Sequence, residues 1–275
     1  MKRSIALAAL AATSLWLAPA SAEDKAAASE ASDIAKQRAE ALAADLEEAL
    51  AMLKESSNFL ASQDKFSFEA EISFDATQKT GQLLEFGGRR AVTVRRPDRA
   101  RIEAHQRDGD RSTLFFDGKT ISIDLPDEKA YVSVQKPGSL DQALDYLIDD
   151  LETPAPLADF LFSDFYSGIQ IDKISYGLYV DDARLGEQDT HHLAFTSPGL
   201  DFQIWIGSGE RPLPHRLVIE FKNGDGSPQF RAQLHGWNLD PKTPDSIFTY
   251  QPPAGAEPIP IKAAIAAARD DEEGR

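Results

Sequence analysis

From Lys65 onward the chain keeps a period of two, and nothing else in it constrains the fold as tightly. Phe66, Phe68, Ile72 and Phe74 alternate with Ser67, Glu69, Glu71 and Ser73, the pattern of a strand with one buried and one wet face. Similar runs recur at 82–87, 90–96, 99–105, 111–117, 119–125 and 130–135, and again at 169–173, 175–185, 189–196, 201–207, 213–222 and 228–237. Gly87-Gly88, Arg96-Pro97-Asp98-Arg99 and Asp117-Gly118 stand between them as turn-formers. Short connections make successive strands antiparallel neighbours. About eleven strands in one twisted layer tend to curl, which leaves a concave face to be covered.

Two helical stretches interrupt the alternation. From 23 to 63 the chain is rich in Ala, Glu and Lys, and Leu42, Leu46, Leu50, Leu53 and Leu60 form one apolar stripe. Between 139 and 165 lies an insertion that opens with Ser139-Leu140-Asp141-Gln142, a capping-box-like start. It continues as an amphipathic helix carrying Leu144, Leu147, Ile148 and Leu151, with Asp145, Asp149 and Asp150 on its other face. Thr153-Pro154-Ala155-Pro156 ends it, and a short second helix follows with Leu157, Phe160, Leu161 and Phe165. The expectation is an α+β fold: a curled, antiparallel, half-open β-barrel of about eleven strands, an N-terminal helix and a mid-chain helical lid. The barrel domain spans 64–258, and the tail at 259–275 is expected to fray.

The first 22 residues read as a secretory signal peptide. Lys2 and Arg3 precede an apolar run from Ile5 to Leu17, and Ala20-Ser21-Ala22 is a small-x-small cleavage site. No later segment is long and apolar enough to span a membrane. The chain has no cysteine, so it offers no thiol for lipidation, no disulfide and no thiolate ligand or nucleophile. Its net charge of −16 becomes −18 once Lys2 and Arg3 are removed, which argues against nucleic acid and anionic bilayers as partners. The expected product is exported, soluble and not membrane-spanning.

Motifs for catalysis are missing. The sequence has no G-x-S-x-G, no H-E-x-x-H and no G-x-x-x-x-G-K, and Gly207-Ser208-Gly209 lies between strands instead of opening a helix. His191 and His192 are adjacent on an expected strand and should point to opposite faces, so they do not share a metal. His105, His215 and His235 are scattered, and Asp149-Asp150 and Asp181-Asp182 read as solvated charges. Asn223-Gly224-Asp225-Gly226 lacks the spacing of a calcium loop and reads as a hairpin turn. No metal and no cofactor is expected.

One charge feature stands out. Arg89, Arg90, Arg95, Arg96, Arg99, Arg101, Arg107 and Arg111 crowd into 23 residues of an acidic chain. They read either as a basic patch for an anionic headgroup or acidic partner, or as arginines paired with Glu69, Glu71, Glu85 and Glu103 on the wet face.

Several pieces in order resemble a bacterial periplasmic family catalogued as a domain of unknown function. They are Arg95-Arg96-Pro97-Asp98-Arg99, Phe116-Asp117-Gly118-Lys119, His191-His192-Leu193-Ala194-Phe195, Asp201-Phe202-Gln203-Ile204-Trp205-Ile206, Arg211-Pro212-Leu213-Pro214, and Phe248-Thr249-Tyr250-Gln251-Pro252-Pro253. The resemblance spans most of 40–259. More remotely the layout is similar to the lipoprotein carriers of the Gram-negative periplasm and to regulators of the envelope stress response. That similarity implies a half-open barrel holding an apolar cavity under helices.

The resulting expectation is a non-enzymatic periplasmic carrier for a lipid or lipidated protein. Its cavity would be lined by Phe68, Ile72, Phe86, Val94, Phe116, Ile123, Ile204, Ile206, Leu217 and Ile219, under a lid of Leu144, Leu147, Ile148 and Leu151. The alternative is an envelope protein-interaction or signalling module with a filled barrel, docking a partner through the basic patch and the loop at 211–214.

Overall fold

The computed structural model describes residues 22–153, 157–169 and 171–264, and the side chains of these except at 22–29, 167 and 168. The expected signal peptide, but for its last residue, lies outside the described residues, as does the tail after Ala264. Two compact units divide the chain, residues 1–41 and 42–275. Helix α1 (Ala22–Ala61) is continuous, as its content of good helix formers favours. In the second unit its apolar stripe begins at Leu46; Leu42 is exposed, whereas Ala49, Leu53 and Leu60 are fully buried. The helix stops where the Ser62 hydroxyl and the Gln63 amide both donate to the Phe59 carbonyl, satisfying an end group that has no partner within the helix.

Six strands follow as a meander: β1 (Lys65–Thr77), β2 (Leu83–Arg95), β3 (Arg99–Gln106), β4 (Arg111–Phe116), β5 (Thr120–Leu125) and β6 (Ala130–Gln135). The helical insertion comes next, with α2 (Leu140–Asp145) and α3 (Phe165–Gly168). A second meander completes the fold: β7 (Tyr176–Leu185), β8 (Gln188–Thr196), β9 (Leu200–Gly207), β10 (Pro214–Phe221) and β11 (Gln229–Asn238). A two-residue strand, β12 (Glu257–Pro258), lies parallel to β6. All twelve form one sheet in the order β12-β6-β5-β4-β3-β2-β1-β11-β10-β9-β8-β7. The sheet is open: among the described residues β7 and β12 are its two unjoined ends.

Register carries the period of two across the sheet. Phe66 stands opposite Val94, Val94 opposite Ala100, Ala100 opposite Phe116 and Phe116 opposite Ile121. On the other side of β1, Ile72 faces Ala232, then Leu217, Ile204 and Leu193. These rows lie on the concave face and are buried together with residues of α1 and the helical insertion.

Three local expectations need correction. Gly87-Gly88 does not join two strands but lies inside β2. A Cβ on Gly87 would sit 2.3 Å from the Ile72 carbonyl oxygen, and one on Gly88 2.3 Å from that of His105. Both neighbouring backbones approach here, which is the alternative use of glycine within a strand. Residues 171–173 form a 3-10 turn instead of a strand, with Ile171 and Ile174 packed on the core; that spacing of three puts both on one side of such a turn. The capping box at Ser139 and Gln142 forms as expected, but the helix changes at Tyr146 to a wider π-type turn running to Asp150. Leu151 N–H there reaches back to the Tyr146 carbonyl.

Replacing Gly88 with alanine is expected to destabilise the protein by about 2 kcal/mol, because the added methyl meets backbone and not a movable side chain. Urea unfolding of Gly88→Ala measures this.

Candidate functional site

The two halves of the concave face are not filled alike. Near the start of β1, Phe66, Phe68 and Phe116 meet the helical insertion and are sealed. Trp237 packs against both Phe66 and Phe68, at ring-centroid distances of 6.0 and 4.5 Å. Towards the other end of β1 a cavity of about 420 Å³ opens between sheet and insertion, lined by aliphatic side chains together with three phenylalanines. Its floor is made by Ile72 and Phe74 of β1, Val92 of β2, Ile102 of β3, Leu114 of β4 and Ile123 of β5. Its roof is Leu144, Leu147, Ile148, Leu157, Ala158 and Leu161, and Phe230 closes one side. Phe221, 37% exposed, marks the mouth. Volume and apolar lining are those of a small-molecule site.

Few polar groups reach the cavity, and Arg90 and Asp75 are its charged lining residues. Asp75 accepts two hydrogen bonds from the Arg231 guanidinium, at 3.0 and 3.1 Å, and one from the Gln229 backbone N–H at 3.0 Å. The Arg231 hydrogen bonds hold the Asp75 carboxyl below its ordinary range. Arg90 stands opposite Ala70 and Ala104, on the concave face. Its guanidinium donates to the Arg89 carbonyl at 3.0 Å and lies 3.4 Å from Gln106 Oε1. Thr153 also lines the cavity, and its hydroxyl oxygen is buried without a hydrogen-bond partner among the described residues.

The insertion is fastened at one end. Arg96 donates to the Leu161 carbonyl at 2.9 Å and the Phe162 carbonyl at 2.8 Å, and its guanidinium lies over the Phe66 ring. Burial depresses the Arg96 pKa, and the Asp141 carboxylate opposes that shift. Asp141 accepts from the backbone N–H and the hydroxyl of Ser163. Ser57 of α1 accepts from the Tyr166 N–H. Between these ties lies Asp159, whose carboxyl is pushed up to about 6 by burial.

Of the residues expected to line a cavity, Ile72 and Ile123 do so, as do Leu144, Leu147 and Ile148 of the expected lid. Phe68, Val94, Phe116, Ile204, Ile206, Leu217 and Leu151 are buried in the core beside it. Phe86 stacks on Phe74, and Ile219 packs at the core's edge. Val92, Ile102, Leu114 and Phe230 were not singled out from the sequence, although the alternation within their own strands places each on the same face. What alternation lacks is register, which sets who stands opposite whom.

The eight arginines do not converge. Arg89 pairs with Glu69 and Glu71, Arg101 with Glu103, Arg107 with Glu85 and Arg111 with Asp127. Arg95 pairs with Asp245, and Arg99 with Asp98. Arg96 is turned to the insertion and Arg90 to the cavity. The histidines of 191–192 take opposite faces: His191 bonds Asp182, while His192 stacks on Trp205 at 4.0 Å. On the same outer face Arg216 lies over Trp205. No group of three or more metal-ligating side chains is found among the described residues, nor a helix long and apolar enough to cross a membrane.

A family model described as "Predicted periplasmic protein (DUF2092)" matches residues 49–262. No curated protein matches the chain in sequence. Among solved structures it is similar to the lipoprotein LppX of Mycobacterium tuberculosis, at 16% identity and a TM-score of 0.44, covering 70% of this chain and 99% of that one. A LolA superfamily protein from Nitrosomonas europaea is 14% identical with a TM-score of 0.37, over 72% and 96% of the two chains. The MucA/MucB complex of Pseudomonas aeruginosa is 14% identical with a TM-score of 0.41, over 74% and 61%.

Two predictions test the fastening of the insertion. Arg96→Met removes both donors to the 161–162 carbonyls and is expected to cost about 2–3 kcal/mol, with amide exchange accelerated first at 158–166. Asp159→Asn tests the buried acid. A folded-state pKa near 6 against an ordinary 3.8 means that the folded protein binds this proton more tightly. The ionised carboxylate therefore weakens folding fully above pH 6, and the penalty fades as pH falls to 3.8. Asp159→Asn should be more stable than the parent by about 3 kcal/mol at pH 7.5, and equal to it below pH 3.8, in denaturation series across that range.

Proposed function

Because the chain belongs to the DUF2092 family of predicted periplasmic proteins, we propose that it is a non-enzymatic periplasmic binding protein that carries a lipid or lipidated ligand beneath the helical insertion. The observation that supports this reading is the apolar cavity of about 420 Å³ between the concave face and the insertion. Burial of an acyl chain is worth about 0.8 kcal/mol per methylene, against an association cost of several kcal/mol. A chain of a dozen carbons therefore gives useful affinity without any reacting group.

Native mass spectrometry of the protein from its own periplasm is expected to show adducts of lipid mass. Leu114→Trp, which puts an indole into the space above β4, should abolish those adducts while leaving unfolding stability within about 1 kcal/mol of the parent, since space is available for it. Bare protein in every parent preparation would sink the carrier reading and favour the protein-interaction module.

A further inference from the structure

We infer that Thr153 determines what the cavity accepts, its hydroxyl donating to the carbonyl oxygen of an ester-linked acyl chain. The inference rests on the carrier reading and deepens it, from an apolar guest to one that carries a neutral acceptor oxygen. Four polar residues line the cavity among the described residues: Asp75, Arg90, Thr153 and Gln229. Three of them are engaged within the protein. Asp75 is held by the Arg231 fork and the Gln229 N–H, and Arg90 donates to the Arg89 carbonyl. The Gln229 side-chain amide donates to Glu220 at 3.0 Å, and its oxygen accepts from Arg231 at 2.9 Å. The Thr153 hydroxyl is buried and has no partner among the described residues.

The surroundings of that hydroxyl select what can satisfy it. The Thr153 N–H donates to the Leu147 carbonyl at 3.0 Å, which fixes the backbone, and a β-branched side chain has few rotamers with which to reach elsewhere. The other described residues that the insertion gives to the lining are Leu144, Leu147, Ile148, Leu157, Ala158 and Leu161. A buried water needs several polar partners to be held, and on this wall Thr153 is alone. A hydroxyl buried without a partner costs stability. A guest that is hydrocarbon along its length and carries one ester carbonyl removes that cost, because it accepts the hydrogen bond and brings no donor or charge of its own to bury. A purely hydrocarbon guest leaves the hydroxyl as it was.

The test combines infrared spectroscopy of methyl decanoate, isotope-labelled at its carbonyl and bound to the full chain, with displacement of the apolar dye N-phenylnaphthylamine by that ester and by dodecane. The bound carbonyl band is expected at lower frequency in the parent and in Thr153→Ser than in Thr153→Val, where a methyl group replaces the hydroxyl. Thr153→Val should weaken the ester about fivefold while dodecane binds as before. The free variant should unfold in urea no earlier than the parent, because no hydrogen bond within the protein is lost. A parent band at the position found in dry hydrocarbon, equal losses for ester and dodecane in Thr153→Val, or a free Thr153→Val less stable than the parent would each overturn the inference. Binding of dye and dodecane without the ester would also overturn it and leave a carrier of another specificity. Failure of dye, ester and dodecane alike to bind would overturn the inference and the carrier reading together.

Discussion

The pairing of β1 with β11 is the constraint on which everything else in this protein depends. It joins residues as far apart in sequence as Ile72 and Ala232, so its loop-closure cost is met only when both meanders are in place. Without it the chain holds two smaller sheets, each with a split apolar face. With it, one twelve-stranded layer presents a single concave surface. Flanking contacts reinforce the seam: Arg231 of β11 grips Asp75 of β1, and Trp237 covers Phe66 and Phe68.

What fills that concave surface divides it into core and cavity. Aromatic rings meet the insertion where Phe66, Phe116, Phe160 and Phe165 gather, and these residues are buried. Val92, Ile102, Leu114 and Ile123 occupy the next row of the same strands and line the cavity, while Phe68, opposite Val92 in that row, is buried in the core. Arg96 matters because it links the two regions: it lies on the Phe66 ring and bonds the insertion's backbone.

The charges of the outer face do something different. Arg89, Arg101 and Arg107 each find a carboxylate on the sheet's wet surface, pairs that bring little stability when exposed. They keep strands with many acidic residues from repelling one another. A run of basic residues in sequence thus became dispersed pairs in space, because successive residues of a strand face opposite sides and the run crosses from β2 into β3 and β4.

Much of the fold is legible in the sequence. Phe66, Phe68, Ile72 and Phe74 announced the concave face, Ser139 and Gln142 marked the start of the insertion, and turn residues limited the strands to antiparallel neighbours. Gly87-Gly88 misled because glycine serves both a turn and a close backbone approach, and only the neighbouring strands distinguish the two. The cavity was legible in kind but not in membership. Alternation assigned Phe68, Val94 and Leu217 to the same face as Ile102 and Leu114, and could say no more. By itself, then, the sequence determined which face each strand buries, since that depends on local period alone. Tertiary structure decided which buried residues touch a neighbour and which face open space, because that depends on register between distant strands and on where the helical insertion comes down on the sheet.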